Sequence, residues 1–138
     1  RYPNVRVCFA HGNQFGIMNH GRRNQGIEGR PDLFPGMSHP DETLNRPNVF
    51  VDTLVHDVLS FRLLVDRMGA AQLVAGLDDP YPLGEMETVP GCYPGRVINE
   101  AVDKGFISAA DRSAIWNENV CRWLGIPPFV EAAVGSGC

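Results

Sequence analysis

Short, densely apolar runs alternate along this chain with stretches in which apolar residues recur every three or four positions. The first run, Val5-Arg6-Val7-Cys8-Phe9-Ala10, reads as a β-strand and ends on His11-Gly12. The second, Asn48 and Val49 to Leu54, and the third, Gln72 to Leu77, read the same way. Between the last two, Leu59, Leu63, Leu64 and Met68 fall at helical spacing, and Gly69 stops the helix. A further helix is expected from about Pro94 to Lys104, with Gly105 at its end. Ser108 and Asp111 have the spacing of a capping box and open a last helix. Ile115, Val120, Trp123 and Leu124 give that helix one apolar stripe, and Gly125 with Pro127-Pro128 ends it.

Asn13 to about Pro47 breaks the rhythm. It is rich in Gly, Asn and Arg, contains Pro31, Pro35 and Pro40, and lacks sustained periodicity. So long a stretch within a domain is usually functional or disordered, and only its first part suits a short helix. The predicted order is therefore strand, loop or helix, strand, helix, strand, helix, helix. Alternation of this kind means βα units around a parallel sheet, an α/β fold. A (β/α)8 barrel needs eight strands and about 250 residues, so three strands cannot close one.

Composition narrows the class. The 138 residues suffice for one domain with a core, and their apolar and charged fractions are those of a globular chain. The net charge is −4 and the two signs are interspersed. Arg22-Arg23 is the nearest approach to a basic cluster, so no nucleic-acid partner is expected. No apolar run approaches the ~20 residues that span a bilayer, so no membrane is expected either. Arg1-Tyr2-Pro3-Asn4 does not begin a signal peptide. Cys8, Cys92, Cys121 and Cys138 are widely spaced without a CxxC pair, which argues against a zinc knuckle. Cys8 and Cys121 read as buried thiols in a reducing, cytoplasmic setting, while Cys92 and Cys138 lie near Gly and Pro in positions open to exposure.

In α/β barrels catalytic groups gather at the C-terminal ends of the strands. The first strand ends on His11, the second is followed by His56-Asp57, and the third ends on Asp78-Asp79. Each residue has a plainer reading. A histidine after a strand is more often a hydrogen-bonded structural residue, an aspartate before proline is a common turn residue, and Asp57 suits the cap of the helix after it. Their combination is more telling, because a carboxylate and an imidazole converging on one face suit a metal-activated water.

These segments together resemble a known family. Val7-Cys8-Phe9-Ala10-His11-Gly12 is similar to the C-F-A-H-G segment of aminocarboxymuconate-semialdehyde decarboxylases of the amidohydrolase superfamily. Phe50 to Asp57 resembles their F-Y-x-D-x-x-V-H-D. Gly76-Leu77-Asp78-Asp79-Pro80-Tyr81-Pro82-Leu83-Gly84-Glu85 looks like their G-[ST]-D-Y-P-F-P-L-G-E. Asn119 and Leu124-Gly125 match their closing pattern, and order and approximate spacing hold along nearly the whole chain. The resemblance implies that residues 1–138 form the C-terminal portion, about strands six to eight with their helices, of a (β/α)8 TIM barrel. The chain is then a single domain or a fragment of one.

The resemblance also implies roles. Asp78 takes the place of a metal-ligand aspartate, with Zn2+ as the expected metal. His11 takes that of a general base acting on the metal-bound water, work that suits an imidazole. Aligned without gaps to Arg30-Pro31-Asp32-Leu33, Gly21-Arg22 falls on a G-R pair whose arginine binds a substrate carboxylate across a dimer interface. A guanidinium matches a carboxylate bidentately, and the plainer reading of Arg22 is a solvated loop cation. His56 is expected to hydrogen-bond near the site, and His20 and His39 read as loop histidines.

Several positions depart from the family. Asn13-Gln14 replaces a glycine-rich stretch, Asp79 replaces an aromatic residue, and an insertion runs from about Met86 to Cys92. The family's H-x-H motif and a further ligand histidine are absent, which leaves Asp78 as one metal ligand where zinc needs several. The expected parent is a zinc-dependent decarboxylase acting on an unsaturated or aromatic carboxylic acid. It would work as a homodimer or together with a complementary N-terminal half. A hydrolase or hydratase of the same superfamily, and a non-catalytic half-barrel that pairs with another chain, are the alternatives.

Overall fold

The computed structural model describes residues 4–85 and 90–129. Cys138 and most of the expected insertion, Met86 to Val89, lie outside these residues. Strands β1 (Val7–Phe9), β2 (Val49–Asp52) and β3 (Leu73–Val74) form one sheet in the order β1-β2-β3. Both pairings are parallel, with Val7 opposite Val49 and Val51 opposite Leu73. This is the α/β architecture expected from the alternating pattern.

Helix α1 spans Gln14–Met18, α2 His20–Gly29 and α3 Pro40–Leu44. They occupy the stretch where hydrophobic periodicity predicted at most one short helix. α2 contains Gly21, Gly26 and Gly29, which weaken its intrinsic propensity, so tertiary contacts hold it. At Gly26 an added Cβ would meet the Phe34 ring at 3.3 Å. His20 is the main correction here. Expected in a loop, it opens α2 and is 1% exposed, with its Nε2 2.6 Å from Asp41 Oδ1 of α3. Both ring nitrogens are buried without an aligned hydrogen bond, so the close approach to Asp41 is a contact of distance alone. His39 stays in the loop before α3, with Nδ1 4.0 Å from Glu28.

α4 (Val58–Met68) starts and stops where the sequence indicated. Asp57 caps it, accepting from the Leu59 and Ser60 amides, and Gly69 ends it at φ 76°. α5 (Arg96–Asp103) also matches its expected range. The predicted last helix is two helices, α6 (Ala109–Trp116) and α7 (Glu118–Leu124). The Ser108–Asp111 capping box is present. The break falls at Asn117, whose φ of −129° and ψ of −73° are not helical. Its side chain is engaged elsewhere, donating to the Phe129 carbonyl and accepting from the Phe129 amide.

Strand β3 is shorter than the expected run to Leu77. The Ala75 amide donates to the Ile115 carbonyl of α6 at 3.1 Å, so the ladder is left one residue after Val74. Alternate strand residues point to opposite faces. Val49, Val51 and Leu73 therefore share one face and pack with Phe61, Leu64, Val97, Ile98, Ala101 and Ile115 in the main core. Phe50 and Asp52 point the other way, and the Arg122 guanidinium of α7 stands 5.4 Å over the Phe50 ring. Cys121 is fully buried as expected, whereas Cys8, on the edge strand, is half-buried. Burial and the nearby Asp52 carboxylate push the Cys8 thiol up to about 11. No described helix is long and apolar enough to cross a membrane.

Candidate active site

Four described non-glycine residues have positive φ: His11 at 54°, Asn13 at 44°, His56 at 64° and Asp78 at 57°. Three of them are the candidates that follow the three strands. Left-handed backbone at a residue with a side chain costs on the order of 1–3 kcal/mol and persists where surrounding structure enforces it. The three strand exits thus share one unusual turn at the end where barrel chemistry is expected.

The turns bring two of the three together. His11 Nε2 lies 3.6 Å from Asp78 Oδ1, although the residues sit 67 positions apart and leave strands separated by β2. That distance is longer than a hydrogen bond and within reach of an ion pair when the ring carries a proton. The His11 side chain is 64% exposed and Asp78 24%, so the pair is open to solvent and to a ligand.

Each turn has its own fastening. On the His11 side, the Gly12 amide donates to Asp52 Oδ1 at 2.8 Å and the Asn13 amide to the Ala10 carbonyl at 3.1 Å. Gly12 has φ 61°, and a Cβ there would lie 2.2 Å from Val55 Cγ1, so glycine alone fits. On the Asp78 side, the Tyr81 amide donates to the Asp78 carbonyl and the Glu85 amide to the Leu77 carbonyl, both at 2.8 Å. Glu85, 4% exposed, then accepts from the Gly95 and Val97 amides at 2.9 and 3.0 Å and ties the loop to the start of α5. The resemblance pointed to this Leu83-Gly84-Glu85 segment, but the task of Glu85 is visible only in the fold.

His56 differs from its expected part. It is exposed, and its backbone carbonyl, not its ring, is engaged, accepting from Arg96 at 2.8 Å. Arg22 is exposed on α2, in a groove of about 580 Å3 also lined by Asn19, Arg23, Gln25, Phe34 and Met37. Neither His11 nor Asp78 lines that groove, so the structure does not bring Arg22 to the His11–Asp78 pair of its own chain.

Asp52 and Glu85 are the residues around the candidate site that sequence reasoning missed as individuals. Asp52 is a carboxylate at the C-terminal end of a strand, so its position was a signal, although His56 and Asp57 nearby carry the more conspicuous motif. Among the described residues no three His, Cys, Asp or Glu side chains cluster to hold a metal. His11 and Asp78 are two donors, and a zinc site takes at least three protein ligands, so these residues alone do not fit a zinc ion.

The sheet with its exit turns matches solved structures of one class. Over 92% of this chain and 36% of theirs, it superposes on 5-carboxyvanillate decarboxylase of Sphingomonas paucimobilis with a TM-score of 0.65 at 17% identity. It superposes on the IDCase of Metarhizium anisopliae with a TM-score of 0.63 at 21% identity, covering 87% of this chain and 34% of that one. An amidohydrolase of Mycobacterium avium subsp. paratuberculosis gives 0.53 at 20% identity, over 80% and 26%. The fold of the described residues is thus shared with part of each of these proteins. No family model matches the chain.

Sequence makes the relationship more specific. The chain is 33% identical over 130 residues to 2-amino-3-carboxymuconate-6-semialdehyde decarboxylase of Dictyostelium discoideum, covering 93% of itself and 33% of the relative. It is 35% identical over 125 residues to the same-named protein of Caenorhabditis elegans, covering 91% and 29%. The chain is therefore similar to aminocarboxymuconate-semialdehyde decarboxylases of the amidohydrolase superfamily, as its motifs indicated. It spans about a third of the length of these curated relatives.

Proposed function

We propose that residues 1–138 form a partial barrel unit, about strands six to eight of a (β/α)8 barrel, carrying part of the active site of a decarboxylase. The substrate class is an unsaturated or aromatic carboxylic acid. The observation that carries this reading is the His11–Asp78 pair, held 3.6 Å apart by two left-handed strand-exit turns. The similarity to decarboxylases along nine-tenths of the chain supports the reaction class.

The chemistry falls to named groups. Loss of CO2 breaks a carbon–carbon bond and leaves its electron pair on the carbon, which then takes a proton. His11 is exposed, an imidazole can both accept and donate a proton, and it is the group proposed to move that proton. Asp78 lies within ion-pair reach and would steady the imidazolium form. Asp78 is also the carboxylate proposed to serve as one ligand of a divalent metal, zinc by the family resemblance. When bound, such an ion supplies Lewis-acid polarisation. The remaining donors would have to come from outside the described residues.

Arg22 is proposed to bind the substrate carboxylate of a second subunit in a homodimer. Its exposed position, and a groove that shares no residue with the His11–Asp78 pair, favour service to another chain's site. The free thiols of Cys8, Cys92 and Cys121 are in keeping with a cytoplasmic setting.

A second reading has its own observation. Val7 and Phe9 of the edge strand and Val5 just before it are 37%, 39% and 51% exposed, and among the described residues this apolar edge pairs on one side only, which favours pairing with a complementary half, catalytic or not. Hydrolase or hydratase chemistry at the same site is separated from decarboxylation by product. The test is a CO2-release assay on the full-length protein with divalent metal. Decarboxylation is expected, and a hydrated or hydrolysed product without CO2 would replace it with the second chemistry.

A further inference from the structure

The carboxylate between the two strand exits has no assigned task. Asp52 ends β2, the central strand, and its side chain shares a face with Cys8 and Phe50, away from the main core. Its Oδ1 accepts from the Gly12 amide at 2.8 Å and from the Leu54 amide at 3.1 Å. The Gly12 nitrogen belongs to the peptide bond that leaves His11. A hydrogen bond there fixes the plane on which the left-handed turn depends and so fixes where the imidazole projects.

The other side of Asp52 touches the second exit. Val74 is its register partner on β3, and Gly76 follows two residues later, just beyond the strand. A Cβ built on Gly76 would lie 2.6 Å from Asp52 Cβ and 3.0 Å from Oδ2, so the strand exit leading to Asp78 passes close against this side chain. The neighbouring Thr53 hydroxyl accepts from the Gly76 amide at 3.3 Å and holds the two backbones at that separation. One side chain therefore meets both segments that carry the site pair, each only one or two residues from His11 or Asp78.

We propose that Asp52 is a positioning residue that sets the His11–Asp78 separation by serving as a fixed hydrogen-bond acceptor between the two strand exits. The proposal rests on reading His11 and Asp78 as the site pair. It assigns Asp52 no contact with substrate. What matters is the acceptor geometry, which asparagine reproduces at Oδ1 and alanine removes.

The test uses the isotopically labelled chain and NMR, with Asp52→Asn, Asp52→Ala and Gly76→Ala. In Asp52→Ala the Gly12 amide exchanges about tenfold faster or more, and the cross-peak between the His11 ring and the Asp78 methylene is lost. Asp52→Asn keeps both. Gly76→Ala leaves the carboxylate in the chain but displaces it, and behaves like Asp52→Ala; it decides the matter if Asp52→Ala does not fold. An unchanged Gly12 amide and cross-peak in Asp52→Ala or Gly76→Ala overturns the proposal. Equal loss in Asp52→Asn and Asp52→Ala overturns it too, because charge would then outweigh acceptor geometry. In the CO2-release assay of the full-length protein, Asp52→Ala lowers kcat about tenfold or more with KM within about twofold, and Asp52→Asn restores kcat to at least about a third. A raised KM at unchanged kcat contradicts positioning. Absence of CO2 release in the unaltered protein would refute the decarboxylase reading alone, since the NMR comparison is read independently of it.

Discussion

Replacing Glu85 by alanine tests how the loop carrying Asp78 is held. The carboxylate is 4% exposed, and each oxygen takes one amide, Gly95 at 2.9 Å and Val97 at 3.0 Å. Both donors stand at the start of α5, where backbone amides have no helical partner. A hydrogen bond to a charged group is worth roughly 1.5–3 kcal/mol, and loss of a helix cap costs about 0.5–2 kcal/mol. The two bonds share one carboxylate and are not independent, so Glu85→Ala is expected to destabilise by about 2–4 kcal/mol. Glu85→Gln keeps one acceptor oxygen and loses the favourable charge at the helix N-terminus, for about half that effect. Urea unfolding reads both, and Trp116 reports locally because a Cβ at Gly95 would sit 2.5 Å from its ring. With a slope of about 2 kcal/mol per molar, the alanine variant moves the midpoint down by roughly 1–2 M. The His11–Asp78 contact should loosen as well, since the Glu85 amide closes the same loop on the Leu77 carbonyl. A change below about 0.5 kcal/mol for Glu85→Ala would refute the reasoning, because it would mean the two amides find equal partners without the carboxylate.

Three further outcomes follow from other parts of the structure. Gly12→Ala places a Cβ 2.2 Å from Val55 Cγ1 at a φ of 61°, so thermal unfolding should show a loss of at least about 1–2 kcal/mol. The Ser60 hydroxyl and amide hold the Asp57 carboxyl below its ordinary value, and Ser108 does the same for Asp111. Depressed folded-state values mean the two caps contribute fully above the unfolded carboxylate value of about 3.9, and the contribution is lost as pH falls below it. Asp57→Asn with Asp111→Asn should therefore flatten the acid limb of stability measured between about pH 5 and 2, and an unchanged limb contradicts the assignment. The Cys8 thiol, pushed up from 9.0 to about 11 by burial and then by Asp52, carries about a hundredfold less thiolate near pH 8 than an ordinary cysteine. Alkylation at Cys8, followed by peptide mass, should be slower by at least that factor, and reaction at the rate of a free thiol would contradict it.

Local signals in the sequence carried much of the fold. The α4 boundaries followed from Asp57 and Gly69, because a side-chain cap and a left-handed stop are written in adjacent residues. The Ser108–Asp111 box was legible for the same reason. Long-range contacts were not. α2 has no apolar stripe, and His20 is buried through Asp41, which lies 21 residues away. The early end of β3 depends on the Ile115 carbonyl, and the break between α6 and α7 on Asn117 turning toward Phe129. At the site, the strand-end rule pointed to His11 and Asp78, which lie 3.6 Å apart at the C-terminal end of the sheet. It did not reveal that Asp52 sits between them, because that role depends on two close backbone approaches, at Gly12 and Gly76.

CO2 release from unsaturated and aromatic carboxylic acids by the full-length protein, compared with its His11→Ala and Asp78→Ala variants, is the most direct test of the account. The account predicts CO2 from the unaltered protein and a fall in kcat of about a hundredfold or more in each variant, in line with removal of a proton-transfer group. Undiminished CO2 release in His11→Ala, or conversion of substrate without CO2, would contradict it.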